Sequence, residues 1–197
     1  MTGEEFTVFW NSTYPETTLL SHYLKNKYAD RWFRIHSLPQ SKRYANTAQE
    51  WEILLMRQNK IMTDLLGKDA TFLMITGDYF SAGHHELHPL SAISSLENIH
   101  FTPLEHIDLH KLSPDEYDGG IYYRPRFSPQ TWRNGKFDAA LKDIANDELR
   151  VLFVSVENNC IIAPYDGGID IILKDPETKN SYKENYKDWL SAREDGR

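Results

Sequence analysis

One stretch limits the fold more than any other: Thr47 to Gly67, TAQEWEILLMRQNKIMTDLLG. Thr47 and Glu50 stand at capping-box spacing, so each side chain satisfies a backbone N–H left free at a helix start. Behind them Trp51, Leu54, Leu55, Ile61, Met62, Leu65 and Leu66 recur at three- and four-residue intervals. That spacing draws one apolar stripe along a helix of about five turns. Gly67 follows as the stop. A helix greasy on one side only must cover something, and the flanking residues supply it. Trp32 to Leu38 (WFRIHSL) reads as a strand ended by Pro39. Ala70 to Thr76 (ATFLMIT) reads as a central strand buried on both faces, ended by Gly77-Asp78. The helix is therefore expected to pack on a sheet.

The remaining elements follow in chain order. Phe6 to Trp10 is a short apolar run expected to be a first strand, and Glu16 to Ala29 a first helix. Residues 79–98 hold Gly83, Pro89 and three histidines without a period, and read as a long irregular segment. Phe101 to Leu112 is expected as a strand, Ile121 to Phe127 as an edge strand interrupted by Pro125, and Phe137 to Ile144 as a short helix. Arg150 to Val156, Cys160 to Pro164 and Ile169 to Leu173 read as three strands, the first two joined by a Glu157-Asn158-Asn159 hairpin turn. Asp175-Pro176 opens a closing helix with a cap and a proline at its first position. Tyr182, Tyr186, Trp189 and Leu190 form its apolar face. Tyr117-Asp118-Gly119-Gly120 and Tyr165-Asp166-Gly167-Gly168 repeat a turn sequence, but their flanks differ. The sum is a single α+β domain over 1–197, with a mixed, largely antiparallel sheet flanked by helices.

Charge decides which functions to discard. The chain carries −7, which argues against general nucleic-acid binding. Arg31 to Ala48 runs the other way, with four basic and no acidic residues. Arg34, His36, Ser41, Lys42 and Arg43 just ahead of a helix N-terminus are candidates for an anion site, with Arg124 and Arg126 as further donors. The plainer reading is a solvated loop paired with acidic neighbours.

Two histidine groups suggest a divalent transition metal. His84 and His88 would lie one turn apart on a helix, though Glu86 does not give the His-Glu-x-x-His arrangement and Pro89 limits any helix. His106, Asp108 and His110 would share one face of a strand, which is also how an ordinary solvent-facing strand looks. The lone Cys160 excludes an internal disulfide and sits in an apolar run, as a buried thiol does. No signal peptide or membrane span is evident, and a cytoplasmic location is expected.

RIHSLPQSKRY, APYDGGIDIIL and KDWLSAREDG resemble an uncharacterised family of small bacterial proteins. The resemblance implies a bacterial or phage source and assigns no catalytic residue. Two functional readings remain. One is a protein-binding module of the immunity or inhibitor kind, suggested by acidic charge and many aromatics. The other is an enzyme or binder of a phosphorylated small molecule, with metal assistance from the histidines.

Overall fold

A computed structural model describes residues 1–83 and 89–191. The stripe on the long helix meets a sheet, as its sequence requires. Helix α3 (Ala48–Leu66) carries the capping box: Thr47 accepts from the Glu50 N–H, and Glu50 accepts from the Thr47 N–H. Its buried face of Leu54, Ile61, Met62, Leu65 and Leu66 lies against the sheet and against α5 (Asp138–Ala145).

Eight strands form the sheet: β1 (Trp32–His36), β2 (Thr71–Ser81), β3 (Thr102–Pro103), β4 (Ile107–Asp108), β5 (Ile121–Thr131), β6 (Leu152–Ser155), β7 (Cys160–Tyr165) and β8 (Gly168–Ile172). Their order is β1-β8-β7-β6-β2-β5-β3, with β4 also on β5, and every one of these pairings is antiparallel. This is the expected α+β class. Alternate residues feed two cores. Phe72, Met74, Phe153, Ile162 and Ile171 face α3, α5 and Tyr186. Leu73, Ile75, Val154, Ile161 and Ile172 face α1 (Gly3–Thr13) and α2 (Ser21–Lys27). Helices cover both faces, which is why β2, β6 and β7 read as unbroken apolar runs rather than alternating ones.

Several expectations change. Phe6 to Trp10 is helical, not a strand. Thr2 and Glu5 form a second capping box, and Phe6 and Trp10, four apart, bury one helix face against Phe127 and the sheet. The helix expected over 16–29 shrinks to α2, because Glu16 takes a φ of 56° and Leu20 is extended. β2 runs on through Gly77-Asp78 to Ser81. Gly77 does not end the strand; it makes room. A Cβ there would sit 2.4 Å from the Arg124 carbonyl oxygen and 2.6 Å from the Tyr123 ring.

The strand expected over 101–112 breaks into β3, β4 and the short α4 (Leu109–Leu112), which Asp108 caps by accepting from the Lys111 N–H. β5 extends to eleven residues, with Pro125 opposite Gly77 and its carbonyl accepting from the Leu104 N–H. In the irregular segment, residues 79–81 belong to β2, and two short 3-10 turns cover Leu90–Ala92 and Ser94–Leu96. The closing helix α6 (Pro176–Asn185) is capped by Asp175 as expected, and a 3-10 turn at Lys187–Trp189 follows. Leu190 then bridges to Ile35 at the β1 edge.

Candidate functional site

A cleft opens where one strand is too short. β6 pairs with β2 only from Leu73 to Ile75, and with β7 only up to Ile162. β2 continues six residues further, and β7 three. Arg150 and Val151 were expected inside the strand. Instead they climb out of the sheet toward α5, held where Thr76 Oγ1 donates to the Arg150 carbonyl at 2.7 Å. The vacated corner is a cleft of about 690 Å3. Its floor includes Ile75, Gly77, Leu152 and Ala163, one wall is Leu20, Ser21, His22 and Lys25 of α2, and another is Pro89, Leu90 and Ile93.

Charged groups line the cleft in equal numbers: Lys25, Arg34, Arg43 and Arg150 against Asp147, Glu148, Asp166 and Asp170. Most are already engaged. Arg34 grips Asp170 with two hydrogen bonds, Nε at 2.7 Å and Nη2 at 2.8 Å, and Trp32 Nε1 donates to the same carboxylate. The Arg34 guanidinium also lies 4.6 Å over the Tyr165 ring. Register explains the pair, since Arg34 and Asp170 sit directly opposite across β1 and β8. Arg43 donates to Asp166 at 2.6 Å, and the Tyr44 hydroxyl donates to the same oxygen. Asp166 is only 4% exposed, so the repeated Tyr-Asp-Gly-Gly turn serves here as an anchor for the basic loop. Arg150 pairs with Asp147 at 2.6 Å.

Neutral groups complete the lining. Burial pushes the Tyr165 phenol up to about 12 and also raises Tyr79. His22 on α2 is held below the usual histidine value, chiefly by desolvation.

The anion site expected at the start of α3 does not assemble. Glu50 accepts from the N–H groups of Asn46 and Thr47, and Lys42 closes on its other oxygen at 2.5 Å. The Glu50 carboxylate and Lys42 thus pair with each other at the helix start, and the carboxylate also takes the Asn46 and Thr47 N–H groups. Arg34 and Arg43 do reach one cleft, whereas Ser41 sits in a 3-10 turn and His36 turns inward. Both ring nitrogens of His36 are buried, and burial lowers its pKa; the nearby Gly167 backbone acts the other way in part, and the Arg34 and Arg57 charges reinforce the burial. Arg124 lies over Phe80, and Arg126 pairs with the buried Asp78 beside a second cleft of about 410 Å3. These two arginines do not join Arg34.

The metal candidates fare similarly. His84 and His88 lie outside the described residues. Asp108 is occupied as the α4 cap, His110 Nδ1 is 2.8 Å from the Tyr117 carbonyl, and His106 packs edge-on against Phe80 and Tyr122. The strand that was to align them is broken by α4 after Asp108. Among the described residues no three His, Cys, Asp or Glu side chains converge as ligands. Sequence reasoning missed His22, Tyr79 and Tyr165. The only hint was the Tyr-Asp-Gly-Gly turn, because a cleft made by a missing strand end has no local signature.

A family model described as "Domain of unknown function (DUF3885)" matches residues 20–194. The chain belongs to this family. The match takes in both walls and the floor of the cleft, while α1 precedes it. Comparison with curated proteins and with solved structures gives no match. Among the described residues no helix is long and apolar enough to cross a membrane.

Proposed function

We propose that this member of the DUF3885 family binds a small molecule in the cleft at the head of β6. One observation carries the reading: a concavity of about 690 Å3, within the range of ligand sites, combines an apolar floor with converging tyrosine, histidine and paired arginine side chains. Its floor lies on the sheet, and the Arg34–Asp170 pair spans β1 and β8 beside it. The protein-binding reading of the immunity or inhibitor kind rests on composition. A cytoplasmic bacterial protein remains part of the proposal.

Thermal-shift screening of glycosides, nucleosides and their phosphates is the test. A binder raises Tm in proportion to the logarithm of its concentration above Kd. Ser21→Trp at the rim and Ala163→Phe on the floor are expected to abolish that shift. No shift from any compound, or one that survives both substitutions, would remove the cleft from consideration.

A further inference from the structure

Taking the cleft as the binding site, we infer that its ligand is an uncharged ring bearing vicinal hydroxyls, either a saccharide or the ribose of a nucleoside. The inference comes from which groups are spent and which are not. Arg34, Arg43 and Arg150 are closed onto Asp170, Asp166 and Asp147 at 2.6–2.8 Å. Such charge-assisted bonds are the strong ones. A phosphate reaching one of these guanidinium groups would lie beside the carboxylate already bound to it, like charge against like charge. Lys25 and Glu148 add one charge of each sign, so the lining offers no net attraction for an anion.

Beside Lys25 and Glu148, what is left are neutral groups. The hydroxyls of Tyr79 and Tyr165 and the ring of His22 make no hydrogen bond to other described residues. A phenol donates one hydrogen bond and accepts others, and a neutral imidazole does one of each. Those are the partners a ring hydroxyl requires, since it also donates and accepts. The apolar floor of Ile75, Leu152 and Ala163 matches the C–H face of a sugar or the plane of a base. The same desolvation that lowers the His22 pKa keeps that ring in its neutral form near pH 7.

The experiment is calorimetric titration of the full chain with adenosine, 2′-deoxyadenosine, maltose and methyl glucoside, alongside adenosine 5′-monophosphate and glucose 6-phosphate. At least one neutral diol is expected to bind, with its phosphate at least tenfold weaker and less than a twofold change between 50 and 500 mM NaCl. Adenosine binding over 2′-deoxyadenosine identifies the ribose; maltose or methyl glucoside binding identifies the saccharide. Tyr79→Phe and Tyr165→Phe, which keep the rings, should each weaken binding about five- to tenfold. Tighter binding of the phosphates, or affinity indifferent to both substitutions, overturns the ligand class but leaves the cleft a binding site. Heat from none of the six compounds up to 10 mM overturns the ligand class. The broader screen then decides whether the cleft binds anything.

Discussion

At the scale of single residues, the site depends on backbone contacts that admit no Cβ and on one cross-strand pair. Gly168 opens β8 against β1, and a Cβ there would lie 2.1 Å from the Ile35 carbonyl oxygen. Gly168→Ala must force β1 and β8 apart. It should destabilise the protein by about 2–4 kcal/mol, read as a lower urea midpoint at unchanged m-value. Arg34 and Asp170 are each about 15% exposed, so losing the carboxylate removes two charge-assisted hydrogen bonds from a half-desolvated guanidinium. Asp170→Ala is expected to cost about 3 kcal/mol. Replacing both partners by leucine should cost less than either single loss, a coupling that a double-mutant cycle measures directly. His36 adds a pH dependence. Its pKa is lowered in the folded protein, so the unfolded chain takes up its proton first as pH falls. Its stabilising share is full above about pH 6.5 and is lost as pH drops through the lowered value. Tm measured between pH 7 and 5 should fall less steeply in His36→Phe than in the parent.

At the scale of elements, local signals held where a cap or a turn set the boundary. Thr47-x-x-Glu50 and Asp175-Pro176 mark true helix starts, and Thr2-x-x-Glu5 marked another beneath a stretch whose β-branched and aromatic residues suggested a strand. Propensity lost there because Phe6 and Trp10 bury only on a helical face. Thr47→Ala should lower stability by about 1 kcal/mol by leaving the Glu50 N–H without its acceptor, with far-UV circular dichroism showing earlier loss of helix on heating. Strand ends were less legible. Whether β2 stops at Thr76 or Ser81 depends on β5 lying beside it, and whether Arg150 belongs to β6 depends on Thr76 pulling its carbonyl away.

At the scale of the whole molecule, helices on both sides of an antiparallel sheet bury its middle strands completely. Cys160 lies there at 1% exposure, and burial pushes its thiol up to about 12. Reaction with a thiol reagent at pH 8 should therefore wait for unfolding, and its rate in low urea should follow global stability. A rate near that of a free thiol would contradict this placement. Taken alone, the order of residues determined the class of the fold, the long helix and its caps, the buried runs of β2, β6 and β7, and the buried thiol. Each of these is written in spacings of two, three or four residues. The tertiary structure alone decided that α2 and β6 would leave a corner of the sheet open. It also decided that Glu50, Asp166 and Asp170 would claim the basic cluster, and that His106, Asp108 and His110 would take separate roles. Those outcomes depend on partners as many as 136 positions away along the chain, and no local pattern encodes which distant carboxylate a guanidinium will meet.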